Sequence, residues 1–445
     1  MRKYFGTDGV RGVANVELTP ELAFQLGRAG GYVITKGSKN PTFVVGRDTR
    51  LSGEMLESAL VAGLLSVGIQ VVQVGVLPTP GVAYLTRELQ TNGGVMISAS
   101  HNPFEDNGIK FFDGFGFKLK DEVELEIERL VEDGAEINRL SGAELGTFQT
   151  VVGTKEKYVK FLAKTATHDF KGLKVVVDCA NGASSSVAEK LFTSLGAEVV
   201  VIHANPNGIN INVECGSTHP ENLQEVVVKE KADIGVALDG DADRLIAVDH
   251  EGNIVDGDEV LYVLANSLKE KNMLRHNVVV STVMSNFGFK KQLEEDGIET
   301  VQTQVGDRYV LEEMMEKGYV LGGEQSGHVV LLEHNTTGDG LLSAVQLIDE
   351  MKRTGKSLRE LIQNFKKYPQ LLVNVRVANK RGWEENAVIQ EEIKRAEQEL
   401  NGNGRVLVRA SGTENLIRVM VEGESEDMVT QLTESIARVV ESEMC

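Results

Sequence analysis

A serine in the run Ser98-Ala99-Ser100-His101-Asn102-Pro103 stands where a hydroxyl could carry a phosphoryl group covalently. The apolar segment Gly94–Ile97 before it has the character of a β-strand, and Pro103 stops regular structure after it. Ser100 is therefore predicted on a short, stiff loop at a strand end, where it could act as a nucleophile. The same residue types are also common in ordinary polar turns, so this loop alone leaves both interpretations open.

A second loop carries three aspartates at alternate positions, Asp239, Asp241 and Asp243, directly after the apolar run Ile234–Leu238. Carboxylates at this spacing suit a hard divalent cation such as Mg²⁺. Crowded at the end of a buried strand, they would repel one another without a cation. The run begins like an EF-hand loop, but Arg244 stands where that loop has glycine. We predict a magnesium site, with a solvated acidic turn as the alternative.

Composition narrows the class of protein. The chain has 445 residues, too many for one ordinary core, with 41% hydrophobic and 25% charged residues, so several globular domains are expected. A formal net charge of −20 argues against nucleic acid and anionic membranes as partners. We expect no signal peptide and no membrane insertion. The three cysteines, Cys179, Cys215 and Cys445, show no pairing or metal-binding spacing, which predicts reduced thiols and a cytoplasmic protein.

An acidic protein that handles phosphate needs a locally basic site. The candidate cations lie in or beside glycine-rich loops: Arg11, His101, Lys110, Arg244, Arg308, His328, Arg409 and Arg418. Most other lysines and arginines are expected on solvated helix faces.

One pattern occurs three times along the chain: strand, helix, strand, and a third strand that ends in a polar loop. The third strands are predicted at 95–97, 234–238 and 319–321, and the third loop is Gly322–His328. In each copy a glycine closes the helix and opens a β-branched strand. This alternation predicts mainly parallel sheets, whose ligands bind at the carboxyl ends of strands. The three loops therefore occupy equivalent places in three related units.

The last part of the chain has a different pattern. After a predicted linker at Lys366–Gln370 come a strand (371–377), a helix (about 385–400), two strands (405–408 and 416–421) and a final helix. The run Arg409–Asn415 between the last two strands, with Arg418, offers arginines, hydroxyls and a glycine. Such a turn can cradle a phosphate, although a plain polar hairpin is the alternative.

The serine loop, the aspartate loop, Gly322–His328 and Arg409–Asn415, in this order, resemble the α-D-phosphohexomutase superfamily over essentially the whole chain. Tyr4–Gly12 and Thr336–Gly340 resemble its bacterial branch that acts on glucosamine phosphates. The resemblance implies an α/β fold of three related α/β/α domains with mainly parallel sheets plus a smaller C-terminal α+β domain, heart-shaped around a central cleft. The expected domains are 1–152 (phosphoserine loop), 153–253 (metal), 254–368 (sugar) and 369–445 (phosphate).

The resemblance also implies residue roles. Ser100 would be the phosphoserine, and its phosphate would join Asp239, Asp241 and Asp243 around Mg²⁺. Proton transfer and charge stabilisation would fall to Arg11, His101, Lys110, Arg244 and His328. The substrate would be bound by Glu324, Ser326, Asp307, Arg308, Arg409, Ser411, Gly412, Thr413 and Arg418. Ala410 and Asn415 depart from the branch, which usually has proline at both places.

The implied reaction interconverts glucosamine-6-phosphate and glucosamine-1-phosphate through a 1,6-bisphosphate, for UDP-N-acetylglucosamine and peptidoglycan synthesis. Ser100 would be primed by a hexosamine bisphosphate or by autophosphorylation. A clamp that accepts either phosphate favours a mobile fourth domain with a hinge near Tyr368-Pro369. The alternatives are a phosphoglucomutase/phosphomannomutase of the same superfamily and a Mg²⁺-dependent sugar phosphatase.

The expected partner is a small phosphosugar. A homodimer stays open, as does a regulatory complex with a membrane-bound cyclic-di-AMP synthase, because some mutases of this branch resemble partners of such an enzyme. No motif in the sequence indicates the surface that either association would use.

Overall fold

A computed structural model describes residues 3–133, 137–411 and 415–444. The chain packs into two compact units. Unit 1 holds the described residues up to Met284 together with Thr300–Ile362. Unit 2 holds Ser285–Glu299 together with the described residues from Gln363 onward. No helix in the described ranges is both long and apolar enough to cross a membrane.

The first part of unit 1 is built on a seven-stranded sheet. Its elements are β1 (Phe5–Gly6), β2 (Gly9–Val13), α1 (Pro20–Ile34), β3 (Thr42–Arg47), α2 (Gly53–Leu65), β4 (Gln70–Val76), α3 (Thr79–Glu88), β5 (Gly93–Ile97), β6 (Asp106–Asp113), α4 (Asp121–Glu132) and β7 (Phe148–Thr150). The strand order is β1-β2-β6-β5-β3-β4-β7. β3 lies parallel to β4 and β5, whereas β6 runs antiparallel to β5. Aliphatic and phenylalanine side chains of the helices and strands form its core.

A second sheet follows. Its elements are α5 (Thr154–Thr165), β8 (Lys174–Asp178), α6 (Ala188–Ser194), β9 (Glu198–Ile202), α7 (Glu221–Glu230), β10 (Ile234–Leu238), β11 (Leu245–Asp249) and β12 (Ile254–Val255). The order is β12-β11-β10-β8-β9, with β8 parallel to β9 and β10 and with β11 antiparallel to β10. β8 and β10 are almost entirely buried, as expected for strands covered on both faces.

The third sheet has four strands. The elements of this part of the chain are α8 (Gly257–Glu270), β13 (Val278–Thr282), α9 (Phe287–Glu295), β14 (Glu299–Thr303), α10 (Asp307–Lys317), β15 (Leu321–Gly323), β16 (Val329–Leu331), α11 (Gly340–Thr354) and α12 (Leu358–Leu361). The order is β14-β13-β15-β16. Asp256 and Glu259 form a reciprocal capping box that starts α8, and the Asp339 carboxylate caps α11.

The three sheets confirm the predicted threefold repeat. In each, the first strand of the unit is central, the second and third flank it, and an antiparallel strand follows the third: β6-β5-β3-β4, β11-β10-β8-β9 and β16-β15-β13-β14. The returning antiparallel strands were not predicted. The third repeat differs in detail from the prediction. β15 begins at Leu321 rather than at residue 319, and it includes Gly322 and Gly323 of the predicted loop.

The C-terminal part of unit 2 is an antiparallel sheet with two helices. Its elements are β17 (Gln370–Arg376), α13 (Ala387–Leu400), β18 (Gly404–Ala410), β19 (Leu416–Gly423) and α14 (Glu426–Met444), and the strand order is β17-β19-β18. The hinge predicted near Tyr368-Pro369 lies inside this unit. Asn286 accepts a hydrogen bond from the Tyr368 N–H (2.9 Å) and donates one to its carbonyl (3.0 Å), which fastens the start of α9 to this segment.

Candidate active site

Ser100 lies on the loop between β5 and β6. Its backbone is in the left-handed region (φ 54°), which is uncommon for a residue with a side chain, and it is buried. The Ser100 hydroxyl donates to Asp239 Oδ2 at 2.5 Å, and its N–H donates to Ser98 Oγ at 3.0 Å. The loop conformation therefore directs this hydroxyl at the aspartate loop predicted to bind metal.

Two side chains from other loops hold the serine loop in place. The Arg50 guanidinium donates to the carbonyls of Ser100 (3.1 Å) and Asn102 (2.6 Å). Asn212 Nδ2 donates to the same two carbonyls, at 2.9 and 3.0 Å. Arg50 also forms an ion pair with Asp48, and both of these side chains are fully buried. The loop geometry is thus fixed by charge-assisted and neutral hydrogen bonds from outside the loop.

The three aspartates form a cluster in which one carboxylate oxygen from each lies within 4.8 Å of the other two. Lys110 Nζ lies 2.8 Å from Asp241 Oδ2 and 3.5 Å from Asp243 Oδ2, and Thr79 Oγ1 donates to Asp241 Oδ2 at 2.5 Å. Among the described residues, the buried Oδ1 atoms of Asp241 and Asp243 have no hydrogen-bond partner. Buried oxygens without donors are costly, and an oxygen-liganded divalent cation would satisfy them.

The carboxylates in this cluster do not titrate alike. Burial, reinforced by repulsion from Asp243 and Asp241, raises the pKa of Asp239 well above its ordinary value. Burial also acts to raise the pKa of Asp243, but Lys110 and His328 outweigh it and hold that pKa well below normal. An added cation would relieve the repulsion that disfavours ionised Asp239, so the electrostatics fit Mg²⁺, as do the two Oδ1 atoms that have no hydrogen-bond partner in the described part of the chain.

A row of alternating charges continues from the aspartates. Asp243 Oδ1 lies 3.8 Å from His328 Nδ1, and His328 Nε2 lies 3.3 Å from Asp307 Oδ2. Lys118 Nζ bonds both Asp307 and Asp8, at 2.5 Å each. Although burial alone would lower it, Asp307 and Asp243 raise the pKa of His328 to about 9. His328 is therefore a cation near neutral pH.

The pKa of His101 is shifted in the opposite direction from that of His328. Burial, with Arg244 and Arg11 nearby, lowers the pKa of His101 to about 4, so its imidazole is neutral near pH 7. Its Nδ1 lies 3.4 Å from the Ser100 hydroxyl oxygen. The Arg244 N–H donates to Asp239 Oδ1 at 3.2 Å, which ties this arginine to the aspartate loop.

The third predicted loop packs against the strand that follows the aspartates. The Leu245 N–H donates to the Gly327 carbonyl at 3.0 Å. A side chain at position 327 would not fit, because φ is 94° and a Cβ would lie 2.2 Å from the Leu245 carbonyl oxygen. Glu324 Oε1 accepts from the Gly306 N–H at 3.1 Å, and Ser326 is exposed.

Arg308 makes its polar contacts at and just before the start of α4. Its guanidinium forms an ion pair with Asp121, another with Glu124 (2.6 Å), and a hydrogen bond to the Leu119 carbonyl (3.1 Å). These contacts join α10 to the start of α4. Substrate binding by Arg308 stays a prediction, since its polar contacts in the structure serve helix packing.

The loop predicted to hold a phosphate belongs to unit 2. Arg409 and Arg418 are directly opposite one another on β18 and β19, so their side chains share one face of the sheet. The Ser411 N–H donates to the Leu416 carbonyl at 2.8 Å. That bond makes the next pair along the ladder a non-hydrogen-bonded one, so the Ala410 N–H points outward from the edge strand.

Two further residues assigned to this loop, Gly412 and Thr413, lie outside the described residues.

Several residues of the site were not found by sequence reasoning: Asp8, Asp48, Arg50, Lys118 and Asn212. The positions of Asp48 and Arg50 could have indicated a role in the site. Both residues come just after the end of β3, and loops at such strand ends bind ligands in this fold. Asp8 offered another signal, since it lies three residues before Arg11 and accepts from its guanidinium at 2.8 Å. Lys118 and Asn212 carry no local signal.

Comparison with known proteins shows which family the chain belongs to. It matches the phosphoglucomutase/phosphomannomutase α/β/α domains I, II and III over residues 2–138, 156–252 and 256–368, and the C-terminal domain over 372–439. A phosphoglucosamine mutase of Geobacillus kaustophilus (strain HTA426) is 58% identical over 446 residues, covering 100% of this chain and 99% of that protein. The chain belongs to the phosphoglucomutase/phosphomannomutase family.

Solved structures agree with this family assignment. A family protein from Burkholderia thailandensis is 26% identical and superposes with a TM-score of 0.81, covering 98% of this chain and 97% of that one. The Aspergillus fumigatus N-acetylphosphoglucosamine mutase, solved with GlcNAc-6P and magnesium, shares the fold at 18% identity with a TM-score of 0.70, covering 100% and 96%. Each of the four matched family domains contains one of the four motifs, in chain order.

Proposed function

We propose that this chain interconverts glucosamine-6-phosphate and glucosamine-1-phosphate, as a phosphoglucosamine mutase. The observation that carries the proposal is the Ser100 hydroxyl, held 2.5 Å from one of three clustered, buried carboxylates. The family membership and the 58% identity to a phosphoglucosamine mutase over the full chain support the substrate.

In the proposed reaction, Ser100 carries the phosphoryl group. The bond between phosphorus and Ser100 Oγ breaks as a bond to O1 of glucosamine-6-phosphate forms, and the O1 proton passes through a base to the departing Ser100 Oγ. The resulting 1,6-bisphosphate reorients in the site. Its 6-phosphoryl group then passes to Ser100 Oγ as the bond to O6 breaks, the serine proton passes to O6, and glucosamine-1-phosphate is released. Two in-line transfers thus replace one difficult isomerisation.

Asp239, Asp241 and Asp243 would hold Mg²⁺ together with the Ser100 phosphate. The bound ion supplies charge stabilisation to the phosphoryl oxygens during transfer. The buried Oδ1 atoms of Asp241 and Asp243, which have no hydrogen-bond partner among the described residues, support this ligand set. Lys110 balances the carboxylates, because its ammonium lies within 3.5 Å of two of them.

The protonation states divide the other side chains by role. Lys110 and His328 have raised pKa values and stay charged near neutral pH, although burial opposes it, so they suit stabilising phosphoryl charge. Neutral His101, with Nδ1 3.4 Å from Ser100 Oγ, is the candidate to exchange a proton with the reacting oxygen. Arg11 and Arg244 add positive charge beside it.

Substrate binding is assigned to two sets of residues. Glu324 and Ser326 would contact sugar hydroxyls, with Asp307 and Arg308 supporting that loop. In unit 2, the phosphate that is not being transferred would be bound by Arg409, Ser411, Gly412, Thr413 and Arg418. The register of β18 and β19 supports this assignment, because it puts both arginines on one face.

A coupled assay across the 6-phosphates of glucosamine, N-acetylglucosamine, glucose and mannose tests the proposal, with intact-mass measurement of the protein. We expect the highest kcat/KM for glucosamine-6-phosphate and one phosphate on the protein. Preference for glucose or mannose phosphate would favour a sister mutase. Release of inorganic phosphate without isomerisation would favour a sugar phosphatase.

The remaining expectations follow from this role. The reaction belongs in the cytoplasm, where amino-sugar nucleotides for peptidoglycan are made, and a hexosamine bisphosphate or autophosphorylation primes Ser100. A homodimer and a complex with a membrane-bound cyclic-di-AMP synthase stay predictions, tested by sedimentation and by pull-down.

A further inference from the structure

Three side chains of different chemistry meet beyond the ends of β8 and β9, outside the phosphoryl-transfer site. Asp178 ends β8, His203 follows β9, and Cys215 lies between β9 and α7. Their potential ligand atoms all lie within 4.8 Å of one another. A carboxylate, an imidazole and a thiolate form a donor set that suits Zn²⁺ and related borderline metals, whereas Mg²⁺ prefers oxygen ligands alone.

The surroundings orient these donors. Asp178 Oδ2 accepts from His203 Nδ1 (3.0 Å) and from the Gly216 N–H (2.9 Å), while its Oδ1 accepts from the Ala180 N–H (2.8 Å). Backbone donors thus fix the carboxylate, as the outer shell of a metal site does. Asp178 and Cys215 are fully buried, but the His203 side chain is 28% exposed, which leaves a route from solvent.

A cysteine nucleophile does not explain this cluster. Burial, then the nearby Asp178 carboxylate, raises the pKa of the Cys215 thiol to about 12. Near neutral pH the thiol is therefore protonated and a poor nucleophile. A bound dication would stabilise the thiolate directly, because thiolate is the form that ligates metal.

We propose that Asp178, His203 and Cys215 bind a zinc-class dication, with water completing a tetrahedral shell. On binding, the Cys215 thiol loses its proton to solvent. The proton that His203 Nδ1 donates to Asp178 is also displaced, to solvent from the imidazolium or to Nε2 by tautomerisation of the neutral ring, so that Nδ1 ligates and Nε2 carries the remaining proton. The oxidation state of the metal and the protein does not change.

The site would connect to the serine loop through one segment of chain. His203 and Cys215 bracket the segment that contains Asn212, whose amide holds the Ser100 and Asn102 carbonyls. A metal bound at both ends of this segment would restrict it. The ion would therefore stabilise the folded protein and would also help to hold Asn212 against the serine loop.

Cobalt(II) is a suitable probe, because a thiolate ligand gives it a near-ultraviolet charge-transfer band that an all-carboxylate site cannot give. Metal-free full-length protein carrying Cys445→Ala is titrated with Co²⁺ in excess Mg²⁺. We expect the band to saturate near one equivalent and to disappear when Zn²⁺ is added. Zn²⁺ should also raise the thermal unfolding midpoint.

Variants locate the ligands. Cys215→Ala should abolish the band, whereas Cys179→Ala, the matched buried cysteine, should keep it. His203→Gln keeps the thiol and should weaken Co²⁺ binding by about tenfold or more. Asp241→Asn should leave the band unchanged, which separates this site from the aspartate cluster. No band in the parent protein, a band that survives Cys215→Ala, or one lost only in Cys179→Ala would overturn the proposal.

Discussion

Replacing Arg50 with methionine should destabilise the protein in a way that depends on pH. Arg50 is fully buried, pairs with Asp48, and donates to two carbonyls of the serine loop. Methionine has similar length without the charge or the donors. The variant therefore leaves a buried carboxylate without its ion-pair partner while keeping most of the packing.

The magnitude follows from the burial of both partners. Removing one member of a buried ion pair typically costs about 3–5 kcal/mol, because the other charge stays desolvated. Burial already raises the pKa of Asp48 above its ordinary value, and Arg50 opposes that shift. Without Arg50 the folded-state pKa should rise further, so Asp48 can escape part of the penalty by taking up a proton.

The pH dependence of this destabilisation follows from the raised pKa of Asp48. A carboxyl whose pKa is higher in the folded state than in the unfolded state stabilises the fold when protonated, and that contribution is lost as pH rises through the folded pKa. Arg50→Met should thus be close to its full cost at about pH 8 and clearly less destabilised at about pH 5, where more of the Asp48 carboxyl is protonated.

Urea unfolding of the wild type, Arg50→Met and the double variant Asp48→Asn with Arg50→Met measures these differences. The double variant should recover part of the lost free energy of unfolding at about pH 8, because neither position of the former ion pair then carries a buried charge. The reasoning fails if the gap between wild type and Arg50→Met is the same at both pH values, or if the double variant is no more stable than the single one.

Three further changes test the site. Asp241→Asn should weaken Mg²⁺ binding by about tenfold or more and slow turnover with it; unchanged activity in excess chelator would exclude the metal site. Arg409→Ala should remove about 2–3 kcal/mol of phosphate binding and raise KM for both phosphosugars by roughly 30- to 150-fold; an unchanged kcat/KM would show that unit 2 does not bind the phosphate. Ala410→Pro with Asn415→Pro should tighten substrate binding a few fold at most, because proline narrows the conformations of the free loop. Proline is compatible with the observed contacts, since the Ala410 N–H points outward and the Asn415 carbonyl still accepts from the Val377 N–H. A large loss of affinity would show that the loop cannot accommodate proline.

The repeated core was predictable from the sequence because its signals are local. A β-branched apolar run with a glycine-bounded helix beside it predicted strands close to those observed, as for the strand expected at 234–238 and found at Ile234–Leu238. The polar loops after β5 and β10 were predictable for the same reason, since the apolar strand and the chemistry-bearing residues are adjacent in the chain.

The returning strands could not be predicted in the same way. Pro103 indicated that regular structure ends, yet only a few residues later β6 turns back along β5 and sets Lys110 opposite Met96. A strand is stabilised by pairing with its neighbour and by packing on the sheet, and the residues of β6 alone specify neither. The position of Lys110 beside the aspartates follows from this pairing and not from any motif.

The residues that hold the serine loop were missed for a related reason. Arg50 and Asn212 act through hydrogen bonds to the Ser100 and Asn102 carbonyls, which are backbone groups present at every position of every sequence. A sequence shows that an arginine or an asparagine is present, but the acceptor it reaches is decided by tertiary packing. Their importance appears only when the loops are assembled.

A single-turnover transfer experiment shows whether the phosphoryl group passes through Ser100. Protein carrying a radiolabelled phosphoryl group is mixed with unlabelled glucosamine-6-phosphate, and the labelled peptide and sugars are identified over time. We expect label on Ser100 at the start, on the sugar bisphosphate within one turnover, and neither label nor isomerisation in Ser100→Ala. Label on Ser98 or another residue, or substantial turnover by Ser100→Ala, would contradict it.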